Sequence, residues 1–260
     1  MSEDILCVIE NDIATVTLFN PDKLNALTAG MWRKLKSVMD DLHAREDLRC
    51  VLIRGERGAF AAGGDIEEFA TVRDTFEQAT TYHGVWVADA LRAIVECRHP
   101  TVALIQGPCI GGGLEIAGQC DLRIAGESAK FGAPIMKLGF TMAATELVSF
   151  LALAGPAVAL EILLEGRILT AEEAYHKGLL TRVVADGEVE KEAYATARRI
   201  ASGAPLVARW HKQLVRRLLP AVAPLTEAEV RENFAYLETE DYREGLRAFR
   251  EKAKPKFSGK

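Results

Sequence analysis

Gly107-Pro108-Cys109-Ile110-Gly111-Gly112-Gly113-Leu114-Glu115 follows the apolar run Thr101–Ile105 and opens a second apolar stretch of helical spacing. Extended chain passing into helix across a glycine cluster predicts a strand–loop–helix unit. The same order occurs upstream. A short strand over residues 50–53 leads through Phe60-Ala61-Ala62-Gly63-Gly64-Asp65 into Asp65-Ile66-Glu67-Glu68, the D-x-x-E pattern of a capped helix start. Further out, residues 5–9 and 13–19 read as two strands around the polar Glu10-Asn11-Asp12. Thr28 is the predicted N-cap of an amphipathic helix through Met31, Trp32, Leu35, Val38, Met39 and Leu42. A long helical segment spans residues 75–96, and residues 121–125 are again strand-like. This alternation predicts an α/β architecture built on a largely parallel, buried sheet.

After Ala143 the pattern turns helical, with breaks at Gly155-Pro156 and Leu219-Pro220 and one strand over 181–184. No low-complexity linker intervenes, so the helical part reads as an extension of one core: residues 1–200 an α/β body, residues 201–260 a helical C-terminal region.

The 260 residues, 49% of them hydrophobic, are enough for an extended core without disulfide or metal staples. Lys plus Arg number 32 against 37 Asp plus Glu, a net charge of −5, which disfavours general binding of polyanions. The five cysteines form no C-x-x-C pair and read as reduced core thiols. The acidic start Met1-Ser2-Glu3-Asp4 and the absence of a membrane-length apolar run lead to the expectation of a soluble cytoplasmic protein. The histidines lack metal-ligand spacing, so no metal is expected. No G-x-S-x-G elbow, Walker loop or G-x-G-x-x-G fingerprint occurs.

Both glycine loops would offer main-chain N–H groups where a helix begins, and these groups have no intrahelical partner. Two such donors make an oxyanion hole, which stabilises charge developing on a carbonyl oxygen. Glu115, three residues beyond Gly112 and so on its face of the helix, is the candidate general acid/base. The competing reading is structural: glycines for tight packing, and a first-turn Glu that favours the helix dipole.

The residues Asn20-Pro21-Asp22-Lys23-Leu24-Asn25-Ala26-Leu27, Ala59 to Ile66, Gly107 to Glu115 with Asp121-Leu122-Arg123-Ile124-Ala125, Phe131-Gly132-Ala133-Pro134, Gly166-Arg167 and Arg243-Glu244-Gly245 together resemble the enoyl-CoA hydratase/isomerase (crotonase) family. The resemblance covers nearly the whole chain. It implies a crotonase-like spiral of ββα repeats with a helical C-terminal trimerisation region, in a homotrimer or a hexamer made as a dimer of trimers. It implies that an acyl-CoA thioester binds with its carbonyl oxygen between the amides of Gly64 and Gly112. Lys23, Leu24, Ala62 and Ile66 match positions that contact CoA. Leu237 stands where members often carry a CoA-contacting Phe, and Lys252 matches a lysine that reaches CoA from an adjacent protomer. No cofactor is implied beyond the CoA of the substrate, and neither nucleic acid nor membrane is expected as a partner.

Glu115 falls on the first of two glutamates that hydratases use to handle water, whereas Ile135 occupies the place of the second and would line the acyl pocket. The leading expectation is hydration of a 2-enoyl-CoA. The alternatives are double-bond isomerisation or other enolate chemistry with Glu115 alone, and a catalytically weak CoA-ester- or RNA-binding protein. Glu146 is expected at a solvated or subunit surface, the alternative being a helix that faces the thioester so that it compensates for Ile135; His83 is expected in a polar surface or packing role, the alternative being a base or a group that orients the substrate. The basic stretch Arg209 to Arg217 is expected to be a solvated face or a subunit contact.

Overall fold

The computed structural model describes residues 4–219 and 225–260, so the Pro220 helix break and the first three residues lie outside it. Nine strands form two sheets among the described residues. They are β1 (Asp4–Glu10), β2 (Ile13–Phe19), β3 (Cys50–Gly55), β4 (Thr101–Ile105), β5 (Pro108–Ile110), β6 (Leu122–Gly126), β7 (Lys130–Gly132), β8 (Leu169–Thr170) and β9 (Arg182–Val184). The longer helices are α1 (Ala29–Ala44), α2 (Ala88–Glu96), α3 (Gly112–Gln119), α4 (Ala144–Glu165), α5 (Val189–Ala201), α6 (Pro205–Leu218) and α7 (Glu240–Arg250).

The six-stranded sheet runs β1-β2-β3-β4-β6-β9 and is parallel except for the β1–β2 hairpin. A three-stranded sheet, β5-β7-β8, stands beside it. Successive turns of chain add one strand to each sheet and then a helix: β4, β5, α3, followed by β6, β7, α4. This is a ββα spiral.

The strands β3 and β4 are near-continuous apolar runs because both faces of the sheet are covered. Side chains alternate between the faces. Val51, Ile53, Ala103 and Ile105 face the large core that contains α1, α2 and α3, while Cys50, Leu52, Val102 and Leu104 pack with Val189, Ala193 and Ala197 of α5. Cys7 departs from the core-thiol expectation: it is exposed on the edge strand β1, although it shares a strand face with the core residue Ile5.

Phe234, Tyr236, Tyr242 and Leu246 of the C-terminal region enter the large core. The basic stretch is largely consumed within the chain: Arg209 donates to the carbonyls of Glu46 and Leu48, and Lys212 and Arg216 pair with Asp121 at 2.9 and 2.8 Å. Gly155, at φ +75°, breaks α4 into two segments at Gly155-Pro156. Among the described residues, no helix is long and apolar enough to cross a membrane.

Candidate active site

The two glycine loops are zipped together. Ala61 N–H donates to the Pro108 carbonyl at 3.0 Å and Ile110 N–H to the Ala61 carbonyl at 2.9 Å, a parallel bridge between Ala61 and Cys109. Beyond the bridge, Gly63 (φ +108°) and Gly111 (φ +49°) take left-handed backbone that disfavours side chains. Their Cα regions meet so closely that a Cβ on Gly111 would lie 3.6 Å from the Gly63 Cα.

A second bridge orients the first amide. Leu27 N–H donates to the Gly63 carbonyl and Asp65 N–H to the Leu27 carbonyl, at 2.7 and 2.9 Å. Amide directions alternate along extended chain. The Gly64 N–H therefore points away from Leu27. Gly112 is the first residue of α3, where no intrahelical acceptor exists and the helix dipole adds positive potential. Among the described residues, neither amide has an acceptor in the chain. Both glycines line one cavity of about 370 Å³.

Trp32, Ile66, Phe69, Val87, Ile110 and Met142 make the wall predominantly apolar. Glu115 reaches this cavity from the first turn of α3 and is buried. Burial pushes its carboxyl far above the usual range, repulsion from Glu146 adds to the shift, and Arg73 opposes it.

Glu146 corrects the sequence expectation: it is 3% exposed and lines the same cavity. It stands at the third position of α4 and accepts a hydrogen bond from the Ala143 N–H at 3.3 Å, a capping role that fixes its carboxyl at the helix mouth. His83 is likewise buried in the cavity wall, with Nδ1 2.5 Å from Glu146 Oε1. Burial raises Glu146 to about 8, opposed by Arg73 and the Ala143 amide. Burial and the Arg73 charge drive His83 well below its usual range. Both partners favour their neutral forms. A protonated Glu146 donates to Nδ1 of the Nε2–H tautomer. Once Glu146 ionises, the Nδ1–H tautomer donates to it.

Ala62, Ile66 and Ile135 line the cavity. Leu24 is exposed beside it at φ +50°, its carbonyl accepting from Ala62 N–H. Lys23 pairs with Asp65 at 2.8 Å and Glu67 at 2.7 Å on the surface. Leu237 is half-buried against the core and is not among the cavity-lining residues. The turn Ala235–Glu238 buries Tyr236, and Phe234 just before it stacks on His83 with centroids 5.7 Å apart. Lys252 is exposed and is not among the cavity-lining residues. Sequence reasoning missed Arg73, Lys137 and Phe249, which also line the cavity.

The arrangement provides two free main-chain donors and two buried carboxyls around an apolar space, a combination suited to proton transfer next to a polarised carbonyl. Comparison with known proteins assigns the family. The Enoyl-CoA hydratase/isomerase family profile matches residues 8–260. A probable enoyl-CoA hydratase of Mycobacterium tuberculosis is 35% identical, over 98% of this chain and 98% of its own. The crystal structure of an enoyl-CoA hydratase/carnithine racemase from Magnetospirillum magneticum superposes with TM-score 0.82 at 49% identity, over 98% of this chain and 96% of that one. A methylmalonyl-CoA decarboxylase complexed with 2S-carboxypropyl-CoA superposes with TM-score 0.87 at 26% identity, over 98% of each chain. The protein is thus an enzyme with the crotonase fold, and the chain belongs to the enoyl-CoA hydratase/isomerase family.

Proposed function

We propose that this protein hydrates a 2-enoyl-CoA, with the Gly64 and Gly112 amides holding the thioester oxygen and Glu115 and Glu146 as the acid/base pair. The observation that carries the reading is the second carboxyl. Ile135 removes the glutamate expected after the Phe131-Gly132-Ala133-Pro134 turn, and Glu146 brings another carboxyl into the same cavity from α4. Coupled carboxyls release their protons in two steps. Glu146 has the more favourable surroundings for a charge, since the Ala143 amide donates to it. Glu146 therefore takes a proton from water as the water oxygen bonds to C3. The C2–C3 π electrons move toward the thioester oxygen, and Glu115 delivers its proton to C2. The pair then re-equilibrates its remaining proton.

The proposal extends to the surroundings. The outward-facing Leu160, Leu164, Leu206, Leu214 and Leu218 support assembly into a homotrimer or a dimer of trimers. Residues 201–260 serve that assembly and, through Phe249, also help wall the acyl cavity. CoA enters as part of the substrate, in the cytoplasm.

The test is loss of enoyl-thioester absorbance across a panel of 2-enoyl-CoA substrates. Glu115→Gln and Glu146→Gln are each expected to lower kcat by about 100-fold or more, the scale of general acid/base help. A wild-type enzyme that converts 3-enoyl- to 2-enoyl-CoA, and consumes none of the 2-enoyl panel, would overturn the hydratase reading.

A further inference from the structure

Arg73, directly after the short helix Phe69–Val72, is 1% exposed and lines the acyl cavity. Its guanidinium lies between two aromatic faces, with Cζ 3.9 Å from the Phe69 centroid and 4.2 Å from that of Phe140. Such contacts offset part of the cost of burying a cation. They satisfy none of its in-plane N–H groups. One nitrogen donates to Tyr236 Oη at a long 3.3 Å, and the buried Nε has no acceptor.

Other buried cations in the molecule are treated differently. Lys212 has the Asp121 carboxylate at 2.9 Å and the His99 carbonyl at 2.9 Å. Arg123 donates to the carbonyls of Leu179, Ala117 and Cys120. Among the described residues, no carboxylate forms a salt bridge with Arg73. Glu115 and Glu146 share its cavity, but their burial favours the uncharged forms.

Position narrows what is missing. Arg73 lines the same cavity as Glu115, Glu146, His83 and Tyr82, and its charge acts on all four. A guanidinium is a planar fork of donors whose matching acceptor is a carboxylate, bound through two parallel hydrogen bonds. An acyl chain ending in a methyl group would leave the in-plane N–H groups of this buried cation without an acceptor, a costly arrangement.

We propose that Arg73 binds a carboxylate carried by the acyl group, so that the substrate is the CoA mono-thioester of a short unsaturated dicarboxylic acid. The inference rests on the acyl-CoA reading above and adds the substrate class. Arg73 lines the same cavity as Gly64 and Gly112, so the chain between thioester and carboxylate spans no more than that cavity and is short.

Binding of unreactive saturated thioesters tests this apart from catalysis. Isothermal titration would compare glutaryl-CoA, pentanoyl-CoA and free CoA on the wild-type protein, on Arg73→Met and on Arg73→Lys. The wild type is expected to bind glutaryl-CoA at least about 10-fold more tightly than pentanoyl-CoA, the scale of a buried charge-assisted pair. Arg73→Met is expected to abolish that preference, and Arg73→Lys, which keeps the charge without the fork, to retain part of it. A wild type that binds pentanoyl-CoA as tightly as glutaryl-CoA overturns the carboxylate site and leaves the acyl-CoA reading standing. If neither thioester binds more tightly than free CoA, both fall. A preference that survives in folded Arg73→Met places the carboxylate on another group, such as Lys137, and overturns the proposal as well.

Discussion

His83 Nδ1 and Glu146 Oε1 lie 2.5 Å apart, a contact that joins the helical segment before α2 to the mouth of α4 across 63 residues of sequence. The imidazole does not need to touch substrate to matter. By exchanging tautomers it can hydrogen-bond either protonation state of the carboxyl, so it acts as a positioning residue for the proposed base.

Replacing His83 by Phe removes this support while filling most of the ring's volume. The expected outcome is a kcat about 10-fold lower with a smaller change in KM, together with an upward move of the acidic limb of the rate profile, because the charge-assisted bond lost to the ionised carboxylate is stronger than the one lost to its protonated form. Steady-state kinetics between pH 6 and pH 10 read both effects. An unchanged limb would mean that the ring only packs.

In the wild type, the acidic limb of kcat/KM is expected near 8, where Glu146 ionises, rather than in the ordinary carboxylate range. The same shift has a consequence for stability, and its sign is definite. The folded carboxyl binds its proton more tightly than the unfolded one, whose value is about 4.5. Its contribution is complete below pH 4.5 and is lost as pH rises toward 8. Thermal melts across that window should show a downward slope that Glu146→Gln flattens.

A Cβ on Gly112 would lie 2.8 Å from Trp32 Cζ2 and 3.1 Å from Leu27 Cδ1. Gly112→Ala must therefore displace the indole, whose Nε1–H donates to Tyr82 Oη at 3.2 Å in the cavity wall. Activity is expected to fall about 100-fold through misplacement of one donor, at a stability cost of about 1–3 kcal/mol. Wild-type turnover in the alanine variant would show that the indole gives way without moving this amide.

Asp121 holds two cations, Lys212 and Arg216, and accepts from Thr101 N–H at 2.8 Å. Asp121→Ala leaves the buried Lys212 ammonium without its counter-charge. Denaturant melts should show a loss of about 3–5 kcal/mol, far beyond that of an exposed pair. A loss below about 1 kcal/mol would mean that Lys212 re-solvates.

Much of this architecture is legible in the chain because apolar runs and glycine punctuation act locally. The residues 60–65, 101–105 and 107–115 announce two tight loops, a buried strand and a helix mouth, and from these the Gly64, Gly112 and Glu115 cluster can be assembled. Glu146, His83 and Arg73 are harder for a definite reason. Tyr82–Val87 is a π-helical turn, so side-chain direction there departs from the 3.6-residue period on which a facing argument relies. Arg73 follows a four-residue helix too short to define a face. Glu146 did leave a trace: it is the lone charged residue between Lys137 and Glu161. A solitary carboxylate in so apolar a run is better explained by a cavity than by solvent.

The bridge between Ala61 and Cys109 sets which parts of this enzyme evolution can edit. The groups proposed to polarise the thioester are main-chain amides on loops that neighbouring main-chain hydrogen bonds hold in place, so no single codon change erases them without wrecking the loop. Ile135, Glu146 and Arg73 are side chains on the remaining wall and can be exchanged one at a time. New reactions and new acyl groups can thus be sampled there while the carbonyl anchor is inherited intact.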